Sequence, residues 1–218
     1  MNQNNQLKVI SQSSLKGLPF YLNHLKKENL LKHEFISAAQ IAKDLNLSEI
    51  QVKKDLASVA SFKGKPNVGH KVVNLINDIE TFLGYRNTTN AVLVGVGHLG
   101  KALLNYQGFE EYGLKIIFGV DNNTNLIGKI INGVEVITMD KLIALCPRMH
   151  INIGIITIGK EDAQDVCNTL VKAGIKAIWN FAPVKLVVDD SVIVQNENMA
   201  SSLAVLSRHL MRKIGKEE

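Results

Sequence analysis

The sequence lacks most of the features that mark secreted, membrane-spanning or metal-clustering proteins. Only two of its 218 residues are cysteines, Cys146 and Cys167, and no partner motif accompanies them. This argues against a disulfide framework or a zinc site. No apolar run approaches the roughly 20 residues that a membrane-spanning helix requires. Residues 1–6 are polar, without the basic and apolar regions of a signal peptide. We therefore expect a cytoplasmic protein with no membrane association and no bound metal.

Positive charge is unevenly divided along the chain. Residues 1–89 hold 12 lysine or arginine residues and 7 aspartate or glutamate residues, whereas residues 90–218 hold 13 of each. The whole net charge of +5 therefore lies in the first part. Such local basicity suits a polyanionic partner, because neutralised phosphates release counterions and the field attracts the partner from a distance. A lysine-rich solvated surface would show the same excess, so charge alone leaves both interpretations open.

The basic first part contains the pattern of a helix-turn-helix. Ser37 to Gln40 and Ser48 to Gln51 are both capping-box sequences. They predict two short helices, residues 38–45 and 49–60, joined by a tight turn. The second helix is basic, and the Gly-, Pro- and Lys-rich stretch 62–71 behind it is typical of the wing of a winged helix. A small helical docking module would have the same helices and is the alternative.

The most specific motif spans residues 90–101 and reads N-A-V-L-V-G-V-G-H-L-G-K. An apolar run leads into Gly95, Gly97 and Gly100, and a helix-favouring sequence follows, which is the order expected at a dinucleotide site. In such a site Gly95 allows the turn, Gly97 lets backbone N–H groups reach the pyrophosphate, and Gly100 lets the helix close onto the strand. Glycines that only pack a tight turn, or a site for another nucleotide such as coenzyme A, are the alternatives.

An acidic residue stands where an NAD site needs one. The apolar run 115–120 predicts a strand that ends at Asp121, 21 residues after Gly100. At this place a carboxylate hydrogen-bonds the adenosine ribose of NAD. The same carboxylate repels the 2′-phosphate of NADP, so the sequence favours NAD.

The remaining pattern predicts an α/β fold, because strands and helices alternate after the glycine motif. The expected fold class is an N-terminal winged-helix domain, a Rossmann-type domain with a parallel sheet, and a C-terminal helix. The expected domain bounds are 1–85, 86–195 and 196–218, respectively. The other predicted elements are helices over 15–31, 72–83, 162–173 and 198–213 and strands over 151–158 and 175–181. The terminal helix is amphipathic and packs either on its own domain or on a partner subunit.

A dehydrogenase is a third interpretation of the glycine motif, and the sequence gives it little support. Such an enzyme needs a proton-transfer group and usually a substrate domain beyond the Rossmann unit. The six histidines are scattered, and none pairs visibly with a carboxylate after the cofactor strands. His98 in the glycine loop is interpreted as a spacer. We expect no enzymatic activity.

With these motifs in place, the chain resembles the Rex family of redox-sensing transcriptional repressors over residues 15–212. The similarity is strongest in Val94–Leu103, Asn105–Glu110, Ala173–Ile178 and Asn180–Val184, and weaker in Gln51–Leu56 and Val68–Gly69. The resemblance implies a homodimer with winged helices, Rossmann domains and a C-terminal helix exchanged between subunits. It also implies binding to operator DNA with NAD⁺ or an empty site, release when NADH rises, and no catalytic turnover.

The resemblance also implies roles for individual residues. The cofactor-binding positions are Gly95, Val96, Gly97, His98, Leu99, Gly100, Asp121, Thr157, Ile158 and Gly159, and Tyr106 matches a tyrosine that senses the nicotinamide state. The positions expected to face DNA are Ser48, Gln51, Lys53, Lys54, Ser58, Lys63 and Lys65. Taken by itself, Tyr106 is equally interpretable as a packed core residue.

Several positions depart from the family pattern. Gly17 and Asn198 replace an arginine and an aspartate that are interdomain partners in the family. Losing both members of an ion pair leaves no unpaired charge, but a switch in this chain cannot use that contact. In the second helix Lys53 replaces arginine, which alone offers a bidentate contact to guanine. In the expected wing, Pro66 and Asn67 interrupt a glycine-rich run, and His70 replaces tyrosine.

The leading hypothesis is a repressor that binds operator DNA and is released when NADH replaces NAD⁺ in its Rossmann domain. The alternative is a Rex-like paralogue that binds NAD(H), no longer reads DNA specifically, and acts through protein partners. The clustered departures in the DNA-binding half favour the alternative, whereas the positive charge retained there favours the first.

Overall fold

A computed structural model describes residues 10–66, 68–87 and 89–215. Residues 1–6 and Asn67, which bear on the expectations above, lie outside this range. The chain divides into two compact units, Met1–Arg86 and Asn87–Glu218. Within the described ranges, no helix is both long and apolar enough to cross a membrane.

The first unit is a winged helix. Its elements are α1 (Gln12–Leu30), β1 (Phe35–Ile36), α2 (Ala38–Asp44), α3 (Glu49–Val59), β2 (His70–Lys71) and α4 (Val72–Leu83). The strands β1 and β2 pair antiparallel and hold the base of the wing. Gly69 has φ of +95°, and a Cβ atom at this position would lie 2.1 Å from the carbonyl oxygen of Ile36. Only glycine therefore lets the wing approach β1 so closely.

The helices of the first unit bury one shared apolar core. Leu18, Leu22 and Leu25 of α1 are buried, as the helical spacing predicts. Leu15 and Leu30, which also lie in the predicted helix 15–31, are 40% and 81% exposed. Leu30 is the last residue of α1, whereas Leu15 lies beside the buried face that contains Ser14 and Leu18.

The second unit is a seven-stranded sheet. Its strands are β3 (Thr89–Val94), β4 (Leu114–Val120), β5 (Ile130–Ile131), β6 (Val134–Ile137), β7 (Ile151–Ile156), β8 (Ala177–Asn180) and β9 (Ile193–Asn196). Their order across the sheet is β5-β6-β4-β3-β7-β8-β9, and all neighbours are parallel except the β5–β6 pair. Without β5, this is the 3-2-1-4-5-6 order of the Rossmann fold. The expected α/β fold class is confirmed.

The connections of the second unit place its site. They are α5 (His98–Leu104), a 3₁₀ helix (Gln107–Tyr112), α6 (Met139–Leu145) and α7 (Lys160–Lys172). The direction of winding reverses between β3 and β7, which are neighbours in the sheet. Ligands bind in the crevice outside the carboxyl ends of the strands at such a switch point. The loops after β3 and β7 carry the two predicted cofactor segments, 95–100 and 157–159.

The last helix, α8 (Met199–Lys213), is not covered by any of the described residues. Every residue from 200 to 215 is exposed, including Leu203, Leu206 and Leu210 at 62%, 64% and 53%. The side chain of Met199, the first residue of α8, is outside the described set. An apolar stripe of this length in water is unfavourable, so the helix has the surface of an element that packs on another molecule.

Candidate nucleotide site and DNA-binding face

The glycine loop, residues 95–100, is hydrogen-bonded to Thr157, which directly follows the end of β7. The hydroxyl of Thr157 donates to the carbonyl oxygens of Gly95 (2.7 Å) and Val94 (3.1 Å). Gly95 has φ of +98°, and a Cβ atom there would lie 2.4 Å from Ile158 Cγ2. The predicted segments 95–100 and 157–159 are therefore brought together, and Thr157 supports the loop through its side chain.

The three glycines of the motif serve different purposes. A Cβ atom at Gly100 would lie 2.0 Å from the carbonyl oxygen of Gly95, so Gly100 is required for the helix to pack on the loop. Gly97 is different, because a Cβ atom there meets no atom of the described residues within 4 Å. Its φ of −75° is also open to any residue. The fold itself does not require a glycine at position 97, whereas a pyrophosphate approaching the backbone does.

Asp121 links the second strand to the loop. Its carboxylate accepts hydrogen bonds from the backbone N–H groups of Val96 (2.7 Å) and Asn123 (2.8 Å). The Val96 side chain is fully buried, so this residue can meet a ligand only through its backbone. A carboxylate has about four acceptor positions, which leaves Asp121 capacity for two ribose hydroxyls beside its two backbone partners.

A cavity of about 530 Å³ opens beside the loop at the carboxyl edge of the sheet. The predicted residues Gly95, Asp121 and Ile158 line it. Other lining residues were not predicted from the sequence, and they include Asn122, Ile127, Thr138, Met139, Asp162 and Asp165. Thr138 and Met139 follow the end of β6, a strand that was not predicted from the sequence. Three of the lining side chains are acidic, an environment that opposes an additional phosphate group.

Tyr106 lies outside this cavity. It is 51% exposed and borders a second cavity of about 330 Å³ together with Phe109 and Glu110. Its ring meets that of Phe109 edge to face at 4.8 Å, and Phe109 in turn contacts Trp179 at 5.8 Å. Tyr106 is thus not a core residue, and the chain alone does not bring it to the glycine loop. His98 and Gly97 are exposed, and Leu99 is half-buried.

The second helix of the helix-turn-helix, α3, leaves Ser48, Gln51, Lys53 and Lys54 exposed and Ser58 half-buried, although the Gln51 amide is bound to a buried carboxylate. Lys53 and Lys54 are exposed, and Lys53 Nζ lies 2.6 Å from Glu49 Oε1. Ser58 donates its hydroxyl to the carbonyl oxygen of Asp55. Ser48 begins the helix, but its side chain makes no capping hydrogen bond. The helix begins where the capping-box sequence Ser48–Gln51 predicted. The prediction was wrong about the side-chain hydrogen bond that a capping box would form there.

The reason lies in a buried polar group that the sequence did not reveal. Asp55 is 2% exposed and accepts hydrogen bonds from Tyr21 Oη (2.8 Å) and Gln51 Nε2 (2.6 Å). Gln51 also reaches Ser14 Oγ at 3.3 Å, so its amide nitrogen faces the core side of α3. Burial and the hydrogen bond to Asp55 raise the pKa of Tyr21. The phenol thus stays protonated and continues to donate.

The wing carries two of the expected DNA contacts. Lys63 and Lys65 are exposed, and the backbones of Lys65 and Gly69 exchange two hydrogen bonds of 2.8 and 2.9 Å. Lys65 Nζ stands 5.5 Å from the centre of the Phe35 ring. This cation–π contact positions the ammonium group at the base of the wing.

Gly17 and Asn198 stand where the resemblance implies an arginine and an aspartate, and each of them has other neighbours in this structure. A Cβ atom at Gly17 would meet the Tyr21 hydroxyl at 3.3 Å and Asp55 Oδ2 at 3.9 Å, so a longer side chain would lie over that hydrogen bond. Asn198 is the N-cap of α8, and its side-chain oxygen accepts from Ser201 N at 3.1 Å.

Comparison with known proteins identifies relatives of nearly full length. Residues 86–184 match the family described as CoA binding domain. The redox-sensing transcriptional repressor Rex of Treponema denticola is 44% identical over 199 residues, which cover 91% of this chain and 94% of that protein. The Rex of Bacteroides fragilis is 35% identical over 96% of this chain and 97% of its own length.

Solved structures give the same result. A crystal structure of the protein RSP in complex with β-NAD⁺ and operator DNA is 34% identical and matches with a TM-score of 0.87, covering 94% of both chains. RSP in complex with β-NADH matches with a TM-score of 0.82 over 94% of this chain and 96% of that one. The chain therefore belongs to the Rex family of redox-sensing transcriptional repressors.

Proposed function

We propose that this protein binds NAD(H) at the glycine loop, binds operator DNA through α3 and the wing, and leaves the DNA when NADH replaces NAD⁺. The observation that carries the proposal is Gly97, a glycine that the fold does not need and a dinucleotide does. The relative RSP, which is 34% identical, has been crystallised with β-NAD⁺ and operator DNA and, in a second structure, with β-NADH. In this role the bound nucleotide shifts the equilibrium between free and DNA-bound protein, and the protein acts as a regulator.

The cofactor would be held by residues with distinct tasks. Backbone N–H groups from Gly97 to Gly100 meet the pyrophosphate, because the first N–H groups of a helix have no partner within it. Asp121 accepts from the ribose hydroxyls, and the cavity near Thr138 and Met139 takes the adenine. The neighbouring carboxylates Asp121, Asp162 and Asp165 disfavour a 2′-phosphate, so NADH binds in preference to NADPH. Ile158 and Gly159 border the nicotinamide half.

The DNA-binding surface would rely on lysines. Lys53, Lys54, Lys63 and Lys65 attract backbone phosphates, whereas Ser48 and Ser58 add polar contacts. Because lysine lacks the bidentate fork of arginine, base readout at position 53 is weaker than with the family's arginine. The exposed apolar face of α8 would join two chains, and a dimer presents two such surfaces to a palindromic operator in the cytoplasm.

Cofactor binding is tested by titrating the purified chain with NADH and following nucleotide fluorescence. NADPH and coenzyme A serve as competitors, the latter because of the CoA binding domain match. We expect saturable NADH binding that NADPH displaces poorly and coenzyme A does not displace. Displacement of NADH by coenzyme A at equal concentration would contradict the assignment.

DNA binding is tested by selection from random duplexes with no nucleotide, with NAD⁺ and with NADH. Enrichment of a palindromic sequence that NADH abolishes is the expected result. NADH binding without any enriched sequence at low salt would instead favour the paralogue that acts through protein partners.

A further inference from the structure

A cluster of metal-ligand side chains joins two helices of the first unit. His24 and Glu28 lie one turn apart on the same face of α1, and Asp44 is the last residue of α2. One nitrogen of His24 and one carboxylate oxygen each of Glu28 and Asp44 all lie within 4.8 Å of one another. Neither the nucleotide site nor the DNA-binding face uses these residues.

His24 is the unusual member of the cluster. Its side chain is 12% exposed, and its Nε2 is buried without a hydrogen-bond partner among the described residues. Asp44 Oδ2 is 3.2 Å away, but the contact does not have hydrogen-bond geometry. A buried polar atom without a partner is unfavourable, because it has lost its hydrogen bonds to water. An ion placed between this nitrogen and the carboxylates would remove that cost.

The two carboxylates are oriented by other side chains. Gln40 Nε2 donates to Asp44 Oδ1 at 2.7 Å, which leaves Oδ2 directed at His24. His33 Nδ1 lies 2.6 Å from Glu28 Oε2. Partners of this kind fix the orientation of ligands in metal sites. The carboxylate side chains are only 17% and 29% exposed, and two like charges so close to each other favour a cation between them.

We propose that His24, Glu28 and Asp44 form a binding site for a divalent transition-metal ion, best suited to Zn²⁺. One imidazole nitrogen and two carboxylate oxygens are ligands that zinc accepts, and three protein ligands leave a fourth position for water. The cluster borders a surface cavity of about 530 Å³, which gives water access to that position. Mg²⁺ prefers a shell of oxygens only, so the histidine selects against it.

The ion would connect α1 to α2, the helix that packs on α3. Because the site needs both helices in their folded positions, a bound ion stabilises the folded first unit. The competing arrangement is a direct contact between His24 and the carboxylates without a metal ion.

Calorimetric titration of the tag-free, EDTA-treated full-length protein with ZnCl₂ tests the proposal. We expect one Zn²⁺ per chain from this site, tighter than Mn²⁺ or Mg²⁺, and a rise in melting temperature. His24→Gln and Asp44→Asn remove a ligand each and abolish this binding, and Gln40→Ala weakens it roughly tenfold through lost orientation. His209→Gln removes an exposed histidine on α8 and is the matched control, with binding as in the unaltered protein.

Each variant is checked for folding by circular dichroism before titration. If His24→Gln does not fold, the near-isosteric Glu28→Gln takes its place, with the same expected loss. The absence of saturable Zn²⁺ binding to the unaltered protein overturns the proposal. Equal Zn²⁺ binding by His24→Gln, Glu28→Gln and the unaltered protein overturns it as well. The first of these outcomes identifies the cluster as a histidine–carboxylate contact between helices.

Discussion

The substitution Gly97→Ala tests whether Gly97 is needed for ligand binding and not for the fold, in contrast to Gly100. The new methyl group meets no atom of the described residues within 4 Å, and the backbone is already in a region open to alanine. Alanine is a poorer N-cap than glycine, but it lowers the entropy of the unfolded chain by an opposing 0.4–1 kcal/mol or so. The free energy of unfolding therefore changes by less than about 1 kcal/mol.

If the loop binds the pyrophosphate as proposed, the same methyl group stands in the path of the ligand. If it removes one hydrogen bond to a charged oxygen, binding weakens by about 1.5–3 kcal/mol, which is roughly 10- to 150-fold in the dissociation constant. NADH titration followed by fluorescence measures this loss, and chemical denaturation measures stability in the same preparation.

Gly100→Ala is the matched control. Its Cβ atom would lie 2.0 Å from the carbonyl oxygen of Gly95, so the backbone must shift, at a cost of about 1–3 kcal/mol or more. This variant loses stability and binding together. If Gly97→Ala binds NADH as the unaltered protein does, or is destabilised as much as Gly100→Ala, the reasoning about Gly97 is refuted.

Three further predictions concern the fold, the DNA and the dimer. Tyr21→Phe lowers the stability of the first unit by about 1–3 kcal/mol in chemical denaturation, because buried Asp55 loses a hydrogen bond. Since the pKa of Tyr21 is raised above its usual 10.0, the unaltered unit loses stability as pH rises above about 10, and the variant lacks this component. Lys54→Gln lowers the slope of log affinity for DNA against log salt by about 0.9 if it contacts one phosphate, whereas Lys172→Gln on α7 leaves the slope unchanged. Leu206→Glu places a charge on the apolar face of α8 and yields monomers in analytical ultracentrifugation.

Each of these three predictions has a result that would contradict it. An unchanged denaturation midpoint for Tyr21→Phe would mean that its hydroxyl contributes nothing net to stability. An unchanged salt slope for Lys54→Gln would remove this residue from the DNA-binding surface. A stable dimer of Leu206→Glu would show that the apolar face of α8 is not the contact between chains.

The sequence predicted the second unit well where the signal was local. The apolar run before Gly95, the acid at Asp121 and the alternation of elements each reflect contacts within a single βαβ unit, so pattern alone recovered them. The order of strands in the sheet was not predicted, because it depends on pairings between distant segments. The two-residue strands of the wing base were missed, since they are too short for any periodicity to register.

Side-chain orientation was the main source of error in the first unit. Ser48 and Gln51 fit a capping box, yet Gln51 turns to Asp55, because a buried carboxylate needs donors more than an exposed helix end does. Nothing in the sequence distinguishes buried Asp55 from a solvated aspartate. The same limit applies to His24 and Asp44, which are 20 positions apart in the sequence and meet only through the packing of α1 and α2.

The most direct test of redox sensing is the affinity for the selected operator, measured by fluorescence anisotropy at fixed salt with NAD⁺ and then with NADH. Moving the protein from 99% bound to 99% released requires a difference of about 10⁴-fold, or 5.5 kcal/mol. By linkage, operator DNA must weaken NADH binding by the same factor that NADH weakens DNA binding. A large and reciprocal loss of affinity with NADH is the predicted result. Equal operator affinity with the two nucleotides, each shown to be bound, would contradict the account.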